Sequence, residues 1–222
     1  MRLYLIRHSL TAGNLERRYI GRTDEGLCKE GMELLRSRTY PEAEAVFVSP
    51  MKRCVQTAEL IYPEQTYVVV EELAECDFGK FENRNYEELS GMPEYQAWID
   101  SGGTLPFPGG ESREEFSGRC LGGFSRVMEM CRRGKIGCAA LIVHGGTIMS
   151  IMERYAKPSG GYYDFQVGNG EGYEFNLTND AASGDWFCAG SDAGGSRMAL
   201  PSGAADRAPD HRIRANYKKM LF

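Results

Sequence analysis

The chain has 222 residues, of which 42% are hydrophobic and 26% are charged, with a formal net charge of −5. This composition excludes fibrous, collagenous and wholly disordered proteins, and the negative charge gives no electrostatic case for a nucleic acid partner. No stretch approaches the ~20 apolar residues of a membrane span, and the seven cysteines include no C-x-x-C pair. We therefore expect a cytoplasmic protein with reduced thiols, no membrane partner and no zinc site.

The predicted elements alternate between short apolar strands and helices. Strands are predicted at residues 3–6, 45–48, 67–70, 139–143 and 173–177. Helices are predicted at 53–61 and 147–155. A third opens at Ser112, where Glu115 completes a capping box. Six apolar residues then recur on one face of this helix: Phe116, Cys120, Phe124, Val127, Met128 and Cys131. The alternation predicts an α/β sheet packed between helices.

The composition changes near the C-terminus. Residues 189–209 are mostly Gly, Ala, Ser, Asp and Pro, which predicts a linker. A short helix beside basic residues is predicted from the spacing of Ile213, Tyr217, Met220 and Leu221. We expect this helix either to dock on the body or to stay disordered, and disorder is the commoner outcome for a terminus. We expect one domain over residues 1–188, followed by a linker and basic tail over 189–222.

Two of the three histidines occupy matching positions at predicted strand ends. His8 follows the first strand and His144 follows the fourth, so both are expected at the sheet edge where α/β proteins bind ligands. For either histidine alone, a hydrogen-bonded strand-end residue is the simpler interpretation. The shared setting and the neighbouring Arg7 favour a functional site. His211 is expected to be solvated.

Two arginines and a pair of glycines indicate an anion site at the same edge. Arg53 lies at a predicted helix start, whose free N–H groups and dipole favour a phosphate group. With Arg7 it would supply planar guanidinium donors, although an arginine in a first helical turn, taken alone, is usually a surface charge. Gly145 and Gly146 would let the backbone approach the anion at a second helix start.

Glu75 is the candidate acid, because it follows the third strand on the same side of the sheet. A carboxyl group held among phosphate oxygens and apolar walls has a raised pKa, which suits a general acid. Without the other candidates, a surface glutamate beside Glu71 and Glu72 would be the simpler interpretation. No Asp/His cluster has metal-ligand spacing, so we expect neither a metal nor a cofactor.

Together these segments resemble the histidine phosphatase superfamily, in the branch that includes cofactor-dependent phosphoglycerate mutases. They match in order over about residues 3–178: Leu5-Ile6-Arg7-His8 with Thr11 and Asn14, Ser49-Pro50 leading to Arg53, Glu75 with Phe78-Gly79, Pro108-Gly109-Gly110-Glu111-Ser112, and Val143-His144-Gly145-Gly146. The Pro-Gly-Gly-Glu-Ser segment and the compact length are most similar to the alpha-ribazole phosphatase type. The resemblance implies a three-layer α/β/α sandwich with a mostly parallel central sheet.

The resemblance also implies an activity and a role for each residue. The activity would be metal-independent hydrolysis of a small phosphorylated metabolite through a phosphohistidine, and alpha-ribazole 5'-phosphate of cobalamin biosynthesis is one candidate. His8 would be the nucleophile and Glu75 the proton donor to the leaving oxygen. Arg7, Arg53 and His144 would hold the phosphate oxygens. The further substrate-binding candidates are Asn14, Thr11, Ser9 and Gly145.

Two residues depart from the family pattern. Ser9 stands where glycine is usual, which is tolerable if the glycine only provides room and strained if a positive φ is required. Asn83 stands at another usual glycine, and asparagine is the next best residue in the left-handed region.

Three other functions are less consistent with the sequence than hydrolysis. Mutases of the family carry an Arg-His-Tyr-Gly type segment after the glutamate, whereas this chain has Cys76-Asp77-Phe78-Gly79, which favours hydrolysis. A non-catalytic phosphate-binding protein is disfavoured because all five chemical residues are present. A thiol enzyme using Cys54 or Cys76 would lack a phosphate loop, and cysteine is commonly buried.

The aromatic segment at residues 81–107 bears on the substrate, because it lies between the acid and the capped helix. Its aromatic residues would cover the crevice, although core packing is the commoner explanation for the helical spacing of Tyr95 and Trp98. Aromatic walls would suit a nucleoside-like ribazole phosphate, while sugar phosphates and phosphoglycerate stay open. The sequence predicts no oligomeric state.

Overall fold

The structure is a computed structural model that describes residues 1–179, 186–188 and 215–220. The strands in these ranges are β1 (Arg2–Arg7), β2 (Ala45–Val48), β3 (Tyr67–Val69), β4 (Cys138–Val143), β5 (Ala156–Lys157), β6 (Gly172–Asn179), β7 (Trp186–Cys188) and β8 (Ala215–Met220). The α-helices are α1 (Ala12–Leu15), α2 (Lys29–Arg36), α3 (Lys52–Ile61), α4 (Tyr86–Leu89), α5 (Pro93–Asp100), α6 (Arg113–Gly134) and α7 (Gly145–Tyr155). Short 3-10 helices cover Glu71–Leu73, Gly79–Phe81 and Tyr162–Phe165.

The central sheet has the strand order β3-β2-β4-β1-β6-β8-β5, with β7 paired to β6. The first four strands in this order are parallel, and β6 runs antiparallel to both β1 and β8. Parallel neighbours cannot be joined by tight turns, so the chain crosses over through helices between them. The predicted α/β class with a mostly parallel sheet is confirmed.

Alternation along β1 explains why helices cover both faces of the sheet. Leu3 and Leu5 lie in one buried cluster with residues of α6 and α7. Tyr4 and Ile6 lie in another with residues of α3. Successive side chains of a strand point to opposite faces, so a strand that is apolar at every position needs a layer on each side. Among the described residues, no helix is both long and apolar enough to span a bilayer.

The longest helix, α6, begins and packs as predicted. The Ser112 hydroxyl accepts from the Glu115 N–H at 3.1 Å, and the Glu115 carboxylate accepts from the Ser112 N–H at 2.8 Å. A cap of this kind stabilises a helix by ~1 kcal/mol. All six predicted apolar residues are buried. The helix ends at Gly134, and the next residue, Lys135, caps it in the left-handed conformation with φ 52°.

The C-terminal segment contradicts the predicted helix. Residues 215–220 form β8, which pairs antiparallel with β6 and parallel with β5. Strand pairing satisfies backbone groups at the edge of β6 that a docked helix would leave open, and this outweighs the helical spacing of the apolar residues. This segment therefore belongs to the central sheet. Ile213, Leu221 and the predicted linker at 189–209 lie outside the described residues, and the domain boundary at 188 stays a prediction.

Candidate active site

The two strand-end histidines meet at the carboxyl edge of the sheet. β1 and β4 are neighbours in register, with Arg7 opposite Val143, so the residues that follow each strand emerge side by side. The rings of His8 and His144 have centroids 5.2 Å apart and are edge-on to each other. Both side chains are buried. The predicted convergence of the two histidines is confirmed.

His8 is held as a neutral imidazole with one free nitrogen. Its Nδ1 lies 2.7 Å from the Ser9 carbonyl oxygen. A carbonyl can only accept, so Nδ1 carries the proton and Nε2 keeps its lone pair. Burial lowers the pKa of His8 well below its usual value, and the charges of Arg53 and Arg7 lower it further. A neutral imidazole with an available lone pair is the form that attacks phosphorus.

His144 adopts the opposite tautomer. The Nε group of Arg53 lies 3.4 Å from His144 Nδ1 and can only donate, so Nδ1 is an acceptor. His144 Nε2 therefore carries the proton and donates to the Ser49 hydroxyl at 2.7 Å. Burial lowers the pKa of His144 well below its usual value, and Arg53 contributes in the same direction. The second imidazole is thus also neutral.

Arg53 is fully buried in the first turn of α3 and binds the protein itself. Its Nη1 donates to the Thr23 carbonyl at 2.9 Å, and its Nη2 donates to the carbonyls of Ile20 at 3.2 Å and Gly21 at 2.9 Å. With the bond to His144, these contacts use most of its donors. Arg53 therefore fastens the segment at residues 20–23 to the site and places its charge beside both histidines.

Arg7 can donate a hydrogen bond to an anion through its Nε group. Its Nη1 donates to the Val167 carbonyl at 2.8 Å, whereas its buried Nε has no partner among the described residues. Its guanidinium lies at the N-terminus of α7, because a Cβ on Gly145 would come within 3.5 Å of Arg7 Nε. A buried donor without a partner costs ~1–3 kcal/mol, so this N–H and the adjacent helix start indicate an anion-binding position.

Glu75 lies beside the His144 imidazole. Its Oε2 is 3.9 Å from His144 Nδ1, and its Oε1 accepts from the Cys76 N–H at 3.0 Å. Burial raises the pKa of Glu75, against the opposing effects of the Cys76 N–H and Arg53. A Cβ on Gly146 would lie 2.8 Å from Glu75 Oε1, so glycine is needed there for the carboxyl group to approach α7. A carboxyl group in this setting suits proton donation.

The loop that carries Glu75 is held by Arg119, which sequence reasoning missed. Arg119 donates to the carbonyls of Ala74 at 2.9 Å and Glu75 at 3.2 Å, and it forms an ion pair with Glu111 at 2.7 Å. Glu111 also accepts from the Asp77 N–H at 2.9 Å. The Pro-Gly-Gly-Glu-Ser segment was the one sequence signal that pointed to this support, because its glutamate, Glu111, pairs with Arg119.

Asn14 is positioned by two neighbours, one of which sequence reasoning missed. Its Oδ1 accepts from the Thr11 N–H at 3.3 Å and from Asn169 Nδ2 at 3.1 Å. Thr11 is fully buried, and its hydroxyl caps α1 by accepting from the Asn14 N–H. Thr11 therefore acts on Asn14 through internal contacts, and its binding of substrate stays a prediction. Asn169 belongs to an Asn-Gly turn, which by itself indicates only a turn.

The two departures from the family pattern are resolved by backbone conformation. Ser9 does not adopt a positive φ, so the alternative in which serine strains the backbone at this position is wrong. Its hydroxyl donates to the Gly31 carbonyl at 2.7 Å, and its N–H donates to the Thr57 hydroxyl at 3.1 Å. Its contact with substrate stays a prediction. Asn83 has φ 56°, which confirms the left-handed conformation predicted for it.

An aromatic cluster lies next to the acid loop. Neighbouring ring centroids are 4.9 to 6.5 Å apart. Phe81 is fully buried and the other five rings are half-buried. Trp98 Nε1 is buried without a partner among the described residues. Tyr95 and Trp98 pack against the other rings of the cluster, but α5 has no buried residue, so the expected core packing is wrong for these two side chains and the cluster keeps an exposed side. Its members are Tyr19, Phe78, Phe81, Tyr95, Trp98 and Phe107.

A further aromatic side chain, Tyr162, contacts the first turn of α7 beside the site. Its hydroxyl donates to the Gly146 carbonyl at 3.4 Å, and the Arg113 guanidinium lies 4.4 Å from the centre of its ring. Burial raises the pKa of Tyr162, and the nearby Glu75 carboxylate adds to this shift, so the hydroxyl stays protonated. No motif in the sequence marked this tyrosine.

Thiol chemistry finds no support in the geometry. Cys54 and Cys76 are both buried, and burial raises the pKa of each thiol far above its usual value. Within the described ranges, no group of three or more His, Cys, Asp or Glu side chains is arranged to hold a metal ion. The site thus offers a nucleophilic imidazole, a carboxyl acid and cationic donors.

Comparisons with known proteins agree with this arrangement. The family model for the histidine phosphatase superfamily (branch 1) matches residues 3–186. The chain is 27% identical over 182 residues to the adenosylcobalamin/alpha-ribazole phosphatase of Escherichia coli, covering 77% of this chain and 87% of that protein. It is 29% identical over 168 residues to phosphoglycerate mutase-like protein 4 of Arabidopsis thaliana, covering 71% of each. The crystal structure of the alpha-ribazole phosphatase from Shigella flexneri, 24% identical, shares the fold with a TM-score of 0.70 over 80% of this chain and 91% of that chain.

Proposed function

This chain belongs to the histidine phosphatase superfamily, and we propose that it is a metal-independent phosphomonoester hydrolase that acts on a small phosphorylated metabolite through a phosphohistidine. One observation carries the proposal. Because His8 Nδ1 donates to Ser9, the lone pair of His8 Nε2 is free. It lies in a buried site with the Glu75 carboxyl group and with Arg7 Nε, which has no partner among the described residues. Nucleophile, anion donor and acid are the groups that phosphoryl transfer requires.

In the first step, His8 Nε2 attacks phosphorus and the bond to the ester oxygen breaks. The leaving oxygen takes the electron pair of that bond and the proton of Glu75. Arg7 Nε and the N-terminus of α7 neutralise charge on the transferring oxygens, while the buried Arg53 adds its field. His144 would exchange its bond with Ser49 for one to a phosphate oxygen.

In the second step, water attacks the phosphorus of the phosphohistidine. The Glu75 carboxylate, left by the first step, takes a proton from this water. The nitrogen–phosphorus bond breaks and returns its electron pair to His8 Nε2, so inorganic phosphate leaves and both residues regain their starting forms. The raised pKa of Glu75 suits it to give and take the proton in turn.

Hydrolysis is favoured over mutase transfer by the residues beside the acid. Phe78 follows Glu75 closely and packs in the aromatic cluster, where mutases carry a cationic segment that retains a bisphosphorylated intermediate. An apolar wall gives an intermediate with two phosphate groups little to bind, so the product would leave before water attacks.

The alcohol part of the substrate would lie on the side of Glu75, because the acid protonates the leaving oxygen. That side holds the half-buried aromatic cluster and Trp98 Nε1, which has no partner in the part of the chain that the structure describes. A heteroaromatic alcohol would stack on these rings and accept a hydrogen bond. Alpha-ribazole 5'-phosphate fits this description and is our candidate substrate. It would place the enzyme in cobalamin biosynthesis in the cytoplasm.

The decisive experiment measures hydrolysis of p-nitrophenyl phosphate with EDTA present, over pH 5 to 8. We expect turnover, and an acid-labile phosphoenzyme in the wild type that His8→Ala lacks. A folded protein without turnover anywhere in this range would contradict hydrolysis and favour a phosphate-binding role. A second assay ranks alpha-ribazole 5'-phosphate against phosphoserine and 3-phosphoglycerate, and preference for either of the latter would overturn the substrate assignment.

A further inference from the structure

We infer that Asn169 is a positioning residue that sets the orientation of the Asn14 amide and the tautomer of His8. It does so by donating to Asn14 Oδ1 and to the carbonyl oxygens of His8 and Ser9. The inference rests on the proposed function, because it assigns the role of Asn169 within that site. It concerns a side chain that lies in the turn before β6, more than 150 residues from His8 in the sequence.

The main chain around Asn169 is fixed to the site from several sides. Arg38 Nη1 donates to the Asn169 carbonyl at 3.2 Å, and the Tyr40 hydroxyl donates to the Gly170 carbonyl at 3.0 Å. The Gly170 N–H donates to the Arg7 carbonyl at 3.1 Å. A side chain on such a support presents its amide in a defined direction.

The Asn169 amide reaches three acceptors. Its Nδ2 lies 3.1 Å from the His8 carbonyl oxygen, 3.4 Å from the Ser9 carbonyl oxygen and 3.1 Å from Asn14 Oδ1. An amide nitrogen has two hydrogens, so one serves Asn14 and the other is shared between the two carbonyls. One side chain thus joins the backbone of the nucleophile to a predicted phosphate ligand.

The contact with Asn14 determines which end of that amide faces the site. Asn14 Oδ1 accepts from Asn169 Nδ2 and from the Thr11 N–H. A flipped Asn14 amide would set its own NH2 group against these two donors, which is unfavourable. The oxygen of Asn14 therefore faces Thr11 and Asn169, and its Nδ2 group stays available to a ligand in the site. A phosphate dianion needs donors, so this orientation favours its binding.

The contact with Ser9 acts on the nucleophile. The Ser9 carbonyl accepts from His8 Nδ1 at 2.7 Å and from Asn169 Nδ2 at 3.4 Å. Asn169 also holds the preceding carbonyl, that of His8 itself, so two successive carbonyls have fixed directions. Because Nδ1 must be protonated to donate to Ser9, holding that carbonyl in place maintains the tautomer in which Nε2 can attack.

The test is a double-mutant cycle between Asn169→Ala and Asn14→Ala, with kcat/KM for p-nitrophenyl phosphate and the inhibition constant of vanadate as readouts. We expect Asn169→Ala alone to lower kcat/KM by roughly 10- to 100-fold and to weaken vanadate binding. In the Asn14→Ala background, the further weakening of vanadate binding should shrink to about 3-fold or less, because the two residues act as one unit. An equal loss of vanadate affinity on Asn169→Ala, with and without Asn14→Ala, would overturn the inference.

The isosteric variant Asn169→Asp keeps the packing and reverses the polarity. Asn14 should then turn its NH2 group toward the new carboxylate and its oxygen toward the phosphate, so vanadate binding should fall further than in Asn169→Ala. Vanadate binding as tight as that of Asn169→Ala would contradict the role. Asn176→Ala is the matched control, because Asn176 lies in β6 and donates to Glu174 on the same strand. It should leave kcat/KM within about 2-fold.

Two measurements separate this inference from the proposed function. Calorimetric binding of inorganic phosphate and nitrogen NMR of the His8 ring require no turnover. If the wild type hydrolyses no ester, hydrolysis is wrong. The positioning role then stands if Asn169→Ala weakens phosphate binding and mixes the His8 tautomers. It falls if both measurements match the wild type.

Discussion

The Nε group of Arg53 donates to Nδ1 of His144 across 3.4 Å, inside a site where both side chains are fully buried. The sequence pattern predicted that Arg53 binds the phosphate group, whereas in the structure Arg53 binds the His144 imidazole. Its remaining contacts are carbonyls of the segment at residues 20–23. Arg53 therefore links the electrostatics of the site to the folding of a distant loop.

We expect Arg53→Lys to destabilise the fold as well as the reaction. Lysine keeps the charge but cannot donate to three carbonyls and an imidazole together, so the free energy of unfolding should fall by about 3 kcal/mol. Urea denaturation measures this change. A variant with wild-type stability and lowered activity would mean that Arg53 acts through the ligand alone.

Glu75→Gln separates catalysis from stability. Burial raises the pKa of Glu75, so the folded state favours the protonated carboxyl, and its ionisation destabilises the fold increasingly as pH rises above about 4.5. Glutamine removes this penalty. We expect kcat/KM to fall by roughly 10²- to 10⁴-fold, while the melting temperature at pH 7 equals or exceeds that of the wild type. A clear drop in melting temperature would show that the carboxylate stabilises the fold.

The pH profile of kcat/KM should be a bell whose two limbs are moved apart by the site. The acid limb reports loss of a proton from His8, whose pKa is lowered by burial, and the alkaline limb reports loss of a proton from Glu75, whose pKa is raised. Both shifts widen the pH range in which the active form, with His8 neutral and Glu75 protonated, is populated. Activity that rises steadily from pH 6 to 8 would exclude Glu75 as the acid.

Arg119→Ala should move the alkaline limb of this profile. The Arg119 charge lowers the pKa of Glu75, so its removal raises that pKa and shifts the limb to higher pH. We also expect kcat to fall more than KM rises, because the acid loop loses its support. Arg126→Ala is the matched control on the same helix, since Arg126 forms an exposed pair with Glu72. An unchanged limb in Arg119→Ala would mean that Arg119 only packs against the loop.

Ser9→Gly restores the residue that is usual in the family. It removes the hydrogen bond to the Gly31 carbonyl and adds backbone freedom to the unfolded chain, so stability should fall by about 1–2 kcal/mol. The backbone at Ser9 needs no positive φ, so kcat should stay within about 2-fold. A large gain in kcat, measured with p-nitrophenyl phosphate, would show that the serine hinders the reaction.

The sequence alone determined the sheet edge and much of the site. His8 and His144 were predicted to meet because apolar runs predict parallel strands, whose carboxyl ends lie at one edge. The capping box at Ser112 was also predicted, because it depends on a few adjacent residues. The left-handed Asn83 followed from the family resemblance, since glycine is usual at that position.

Tertiary structure decided what depends on distant partners. The C-terminal segment is a strand because the edge of β6 offers hydrogen bonds that local spacing does not record. Arg53 binds carbonyls some 30 residues away, and Asn169 reaches His8 across 161 residues. A local pattern gives a side chain its chemistry and its face of an element. The acceptors that it meets are set by how the elements pack, and at this site that packing made Arg53 and Asn169 part of its support.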